Sequence, residues 1–254
     1  MCSGVYIGGH TVLTAAACID ASLKPLMQAH LKDLERDLRD AGYGGEILVG
    51  TISGGCSTID AVCDKPIYTI GSGPAMAPVA AINYSRVEGM GDDVIVCDTG
   101  GTTFDIGIVR AGRPTFSRET WVGPRHGGHL LGISAVDIRS VGAGGGSIAW
   151  IDQGGALRVG PQGAGAQPGP VCYGRGGEPV TVTDANVVLG YLNPEALAGG
   201  TVPIQRALAE VALQRDVAAP LRAELRDAAW AVYVVAAANM MRAVKAVSTY
   251  RGRD

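Results

Sequence analysis

The sequence predicts an α/β protein in which glycine-rich loops join apolar strands to amphipathic helices. Three observations predict it. Glycine supplies 38 of 254 residues and aromatics only 5%, so packing rests on Ala, Val, Leu and Ile with many close backbone approaches. Leu23 to Ala41 and Leu221 to Val247 repeat apolar residues at three- and four-residue spacing, the period of a helix with one buried face. Val94-Ile95-Val96-Cys97 and Ile106-Gly107-Ile108-Val109 are short apolar runs that read as fully buried strands flanking a glycine turn.

Taken in order, residues 1–18 form a short alternating segment around Gly8-Gly9. Asp20 or Ser22 then reads as a helix cap, with Pro25 tolerable in the first turn. Leu23, Met27, Leu31, Leu34, Leu38 and Ala41 line one face until Gly42 ends the helix. Glu46 to Ile52 reads as a strand running into Ser53-Gly54-Gly55, and Pro66 to Ile70 as another running into Gly71-Ser72-Gly73-Pro74. A helix follows over Ala75 to Arg86. Its first amides face an anion or form a plain strand-to-helix turn, and the residues alone leave both open. Arg113 to Thr120, after the Ala111-Gly112 turn, adds a hairpin and makes the sheet mixed. Gly160 to Gly177 is almost all Gly, Pro, Ala and small polar residues, which suits a flexible linker or a loop ordered by Pro168, Pro170 and Tyr173. Thr183 or Asp184 caps the next helix. In the last helix Leu221, Leu225, Ala229, Val232, Ala236, Met240, Ala243 and Val247 share a face, while Asn239, Arg242 and Lys245 make it too polar to span a bilayer.

Function concentrates at Asp98-Thr99-Gly100-Gly101-Thr102-Thr103-Phe104-Asp105. Gly100 and Gly101 permit positive φ and bring backbone N–H groups close to an anion, and Thr102 and Thr103 add hydroxyl donors. Asp98 and Asp105 repel phosphate directly, but a hard cation such as Mg²⁺ joins carboxylate to phosphate oxygens through water. The expected ligand is a metal-nucleotide. An ordinary tight hairpin, with Asp accepting local backbone hydrogen bonds, is the simpler alternative. Gly142-Ala143-Gly144-Gly145-Gly146-Ser147 is a second turn whose backbone approaches phosphate, substrate or another strand. His126 and His129 stand three apart with no third metal ligand nearby. A net charge of −3 offers no basic footprint for nucleic acid. Six scattered cysteines form no CxxC pair, and no signal-type start precedes the chain's first helix, so a reducing, cytoplasmic setting is expected.

Ser72 to Ala75, Asp98 to Asp105, Gly142 to Ile148, Gly160 to Pro170, Cys172 to Gly177 and Thr181 to Leu189 together resemble the hydantoinase A and oxoprolinase family. The resemblance implies an actin-like, ribonuclease H-like ATPase core. It implies ATP and Mg²⁺ as cofactors, and a cyclic amide or a ketone as small-molecule substrate. It also implies a homo- or hetero-oligomer with a hydantoinase B-like subunit. By the same resemblance Asp98 and Asp105 are the catalytic and metal-binding carboxylates. Gly100, Gly101, Thr102, Thr103, Gly142, Gly144, Gly145, Gly146 and Ser147 are the nucleotide-binding set. The family pattern also has an earlier phosphate hairpin and a later adenosine loop that this sequence does not match, and Gly163 where Ser is common. An apparently incomplete core is therefore expected, with 1–70 as a partial α/β region leading into a core portion at 71–254. A non-catalytic fragment or assembly subunit is the alternative. A chaperone-type or sugar-kinase ATPase would fit the helix from Pro74 and the Asp98 to Asp105 turn, but not the glycine blocks from Gly142 to Gly177.

Overall fold

Ala15-Ala16-Ala17 is a run of the strongest helix formers, and it moves the first long helix upstream of its expected cap. The computed structural model describes residues 5–7, 11–13, 15–123, 127–195 and 203–249. Strands β1 (Val5–Ile7) and β2 (Thr11–Leu13) pair antiparallel ahead of helix α1 (Ala15–Asp40). Asp20 therefore lies inside α1, where its carboxylate accepts the Ile67 amide at 2.9 Å, and Pro25 lies inside it too. Leu31 is buried with Ile59, Val62 and Cys63, but Leu34 stays exposed, so the expected face is only partly covered. Gly42, at φ +88, ends the helix where the sequence placed its stop.

The strand expected over 46–52 shortens to β3 (Leu48–Gly50), which turns through Ser53-Gly54-Gly55 and pairs antiparallel with β4 (Cys56–Thr58). Thr58 caps α2 (Ile59–Asp64) by accepting the Ala61 amide. Pro66 to Ile70 is not a strand. Pro66 presets the helical φ of a 3-10 turn, Pro66–Thr69, and the Thr69 hydroxyl donates to the Pro66 carbonyl at 2.7 Å. Helix α3 (Ser72–Val87) starts from left-handed Gly71, three residues before the expected Ala75.

Three strands carry the central sheet: β5 (Val94–Thr99), β6 (Phe104–Arg110), and, after β7 (Arg113–Pro114), β8 (Phe116–Ser117), β9 (Trp121–Val122), β10 (His129–Leu130) and β11 (Ala135–Val136), β12 (Ile138–Val141). Their order is β12-β6-β5, with β7 antiparallel on β6. Phe104 to Val109 are all buried in central β6, as the apolar run predicts. Strand β5 departs from expectation. Among the described residues it stands at the end of the order with one strand neighbour; only Val94 and Val96 are half-buried, and Ile95 remains 46% exposed. Gly107 in β6 is held by packing: a Cβ there would come within 2.4 Å of Pro78 Cγ.

Backbone contacts divide the chain into two units, 1–96 with 107–138 and 97–106 with 139–254, and the chain passes between them inside β5, β6 and β12. In the second unit β13 (Ser147–Ile151) and β14 (Leu157–Gly163) form an antiparallel hairpin. Helices α4 (Val182–Leu189), α5 (Arg206–Leu213), α6 (Ala219–Leu221) and α7 (Leu225–Val247) follow, with a π-helical turn at Gln214–Ala218 before α6. Their core gathers Val159, Cys172, Val180, Leu213, Val217 and Val232. On α7 the predicted face is buried at Ala229, Val232, Ala236, Ala243 and Val247. The segment from Gly160 to Gly177 is an ordered loop rather than a linker, since Pro170, Val171 and Cys172 are buried within it. The fold is thus mixed α/β with small sheets, as predicted. Among the described residues no helix is long and apolar enough to cross a membrane.

Candidate functional site

The turn between β5 and β6 belongs wholly to the second unit. Asp98, Thr99, Gly100, Gly101 and Thr102 are exposed, whereas Asp105 is buried to 9%. The Gly100 amide closes the turn on the Thr103 carbonyl at 2.9 Å. Neither Gly100 nor Gly101 adopts the left-handed conformation that the sequence suggested. Their lack of side chains serves a close approach instead. The Gly145 and Gly146 amides donate to the Gly100 and Gly101 carbonyls at 3.0 and 2.6 Å. A Cβ on Gly144 or Gly146 would fall 2.7 or 2.9 Å from those carbonyl oxygens.

This contact decides where the turn's own donors point. In a planar trans peptide the C=O and the following N–H face opposite ways. With both carbonyls held by the 142–147 loop, the amides of Gly101 and Thr102 are directed away from it, on an exposed stretch. Among the described residues those two amides have no partner within the chain. The loop's amides are not free: Ala143, Gly144, Gly145, Gly146 and Ser147 all donate inside the protein, Gly144 to Ser147 Oγ at 2.9 Å.

The loop is held in turn from below. Thr183 donates to the Gly145 carbonyl through both its amide, at 2.7 Å, and its hydroxyl, at 2.9 Å. The Ala164 amide takes the Gly146 carbonyl. Thr183 lies in the first turn of α4, whose cap is Thr181 rather than Thr183 or Asp184, with Asp184 completing a capping box. The fully buried Asp184 carboxylate accepts from the Thr181 amide and hydroxyl at 2.8 and 2.7 Å, and from the Cys172 and Val171 amides at 2.7 and 3.3 Å. The sequence identified 181–184 as a helix start but carried no sign that Thr183 braces the glycine loop.

The residues fit a phosphate-bound cation. Asp105 Oδ2 accepts the Thr103 hydroxyl at 3.0 Å, while Oδ1 is buried with no hydrogen-bond partner. A buried orphan carboxylate oxygen is costly without a ligand or water. Asp98 stands exposed near the end of β5. Cys97, next to Asp98, is exposed, and partial desolvation pushes its thiol up from the usual range. His129 is exposed on β10 and His126 lies outside the described residues. Among the described residues no three His, Cys, Asp or Glu side chains gather as a metal cage.

The chain is similar to proteins of ATP-linked chemistry. The alpha subunit of caprolactamase from Pseudomonas jessenii is 36% identical over 241 residues, covering 95% of this chain and 34% of the relative. The acetophenone carboxylase gamma subunit of Aromatoleum aromaticum is 36% identical over 240 residues, covering 94% and 32%. The nucleotide-free structure of acetone carboxylase, from work on ATP-dependent acetone carboxylation, superposes with a TM-score of 0.78 at 28% identity, covering 89% of this chain and 31% of that one. The ATP-dependent caprolactamase crystal structure gives 0.73 at 36% identity, covering 92% and 33%. The chain spans about a third of the length of these relatives and less of others, 13% of an Arabidopsis thaliana 5-oxoprolinase. The model of the hydantoinase/oxoprolinase family matches residues 14–254. The chain belongs to the hydantoinase/oxoprolinase family.

Proposed function

We propose that the chain carries part of an ATP-dependent site that activates a carbonyl or amide oxygen, for cyclic amide hydrolysis or ketone carboxylation. Two observations carry this reading: among the described residues the amides of Gly101 and Thr102 have no partner, and in the same turn segment the buried Asp105 Oδ1 has none. Such amides suit phosphate oxygens, and the carboxylates of Asp98 and Asp105 suit Mg²⁺ and the water around it. When bound, ATP supplies a phosphoryl group whose transfer to the substrate oxygen makes a better leaving group. Gly101, Thr102 and Thr103 hold the anion in place, and the carboxylates orient the cation, so positioning and charge neutralisation do most of the catalysis. The loop 142–147 acts by holding the turn, the amides of residues 143–147 being engaged inside the protein.

The named relatives are subunits of larger assemblies. The hydantoinase B-like partner and the cytoplasmic setting expected from the sequence are part of this proposal. Calorimetric titration with Mg-ATP, of the chain alone and with such a partner, tests the reading. We expect saturable, Mg²⁺-dependent binding that Asp98→Asn weakens about tenfold without altering the melting temperature, since Asp98 is exposed. Absence of binding in every combination, or an unchanged Asp98→Asn, overturns it. Phosphate release with oxoproline, hydantoin, acetone and acetophenone then separates amide from ketone chemistry.

A further inference from the structure

Within the second unit a cleft of about 430 Å³ opens between the β13–β14 hairpin and α7. Its volume lies in the range of small-molecule sites, and its walls are mostly apolar, with Leu157, Pro161 and Val235 among them. Trp150 lines it, 40% exposed, with its indole N–H donating to the Gly160 carbonyl at 3.2 Å. Two arginines and an asparagine supply the charged and amide groups, and no carboxylate lines the cleft.

The two arginines are not equivalent. Arg158 is paired with Asp152 at 2.8 Å, and Asp152 is held below the usual carboxylate range by the Ala156 amide and by Arg158 itself. Arg242 enters no ion pair among the described residues. Asn239 braces it: its Nδ2 donates to the Val159 carbonyl at 3.0 Å, which leaves Oδ1 to accept from Arg242 Nη2. One guanidinium is therefore oriented at the cleft with its charge uncompensated, beside an aromatic ring and an apolar wall.

We infer that this cleft binds a flat-bodied monocarboxylate, with Arg242 pairing with the carboxylate and Trp150 and the apolar wall receiving the body. The charge balance selects a single anion. Arg158 is already neutralised, so among the described residues a polyphosphate would meet one unpaired cation. Asn239 is a positioning residue, since its Oδ1 accepts from Arg242 Nη2 and so restrains the guanidinium at the cleft. This site goes beyond the proposed nucleotide chemistry, and its test contains no nucleotide, so the two stand or fall separately.

The test titrates the whole chain with benzoate, benzamide and acetate, followed by tryptophan fluorescence and by ligand-observed NMR. Benzoate is expected to saturate, with benzamide and acetate each at least about tenfold weaker, the first for lack of charge and the second for lack of a body. Arg242→Gln removes the preference for benzoate over benzamide, and Arg242→Lys restores part of it, because an ammonium keeps the charge but loses the fork. Trp150→Phe silences the fluorescence response while the NMR response persists. Arg242 is exposed, so an unchanged melting temperature shows that its variants are folded. Equal binding of benzoate and benzamide, no binding of either, or full benzoate preference in Arg242→Gln overturns the inference.

Discussion

Gly101 and Gly144 face each other across the same backbone contact, yet they predict opposite outcomes on substitution. A Cβ at Gly144 falls 2.7 Å from the Gly100 and Gly101 carbonyl oxygens, while one at Gly101 meets open space. Gly144→Ala is expected to cost about 1–3 kcal/mol through overpacking against rigid backbone. It is also expected to weaken Mg-ATP binding, because displacing the loop turns the Gly101 and Thr102 amides. Gly101→Ala is expected to stay within about 0.5 kcal/mol, the range of substitutions that meet no neighbour. Denaturant unfolding of the two variants checks both. The octapeptide from Asp98 to Asp105 was legible as a site because its carboxylates, hydroxyls and glycines are adjacent in sequence. The reason for its glycines was not legible: local reasoning looks to left-handed freedom, and the actual constraint comes from a loop more than forty residues later. Thr183 was legible only as a cap candidate, and its brace on that loop was hidden for the same reason.

Among the elements, those with strong local signals were readable. The buried face of α7, the stop of α1 at Gly42 and the threonine-aspartate start of α4 all follow from spacing and capping chemistry. Errors arose where local preference was weak. Pro66 to Ile70 carries β-formers but begins with a proline that suits a helical first turn, and one tertiary bond, from the Ile67 amide to Asp20, supports that turn. The apolar run of β5 could not reveal that it would stand at the end of a sheet. Helix α5 did have a signal, with Ala209, Ala212 and Leu213 buried at helical spacing. Burial also sorts the thiols by element. Cys56 on β4 is exposed, Cys63 on α2 is buried, and Cys172 is fully buried with its thiol pushed up by desolvation and by the nearby Asp184. Labelling with Ellman's reagent is expected to modify Cys56 rapidly in the native protein and to spare Cys63 and Cys172 until it unfolds. Early labelling of Cys172 would contradict the packing described for that loop.

At the scale of the whole molecule the α/β class was legible from composition and period alone, whereas the passage of the chain between units inside three strands has no sequence signature. The described parts of the candidate nucleotide site and the carboxylate cleft lie in one unit, so they share the stability of that unit. That stability has an identifiable keystone. The Asp184 carboxylate is the common acceptor for amides on two separate stretches of chain, at Cys172 and at Thr181. Neither stretch can open alone without stranding a charge in the interior. Hydrogen–deuterium exchange at these two amides is thus expected to proceed at one shared rate, as members of a single cooperative opening. Distinct rates would mean that the proline-rich loop breathes independently of the helix it leans on.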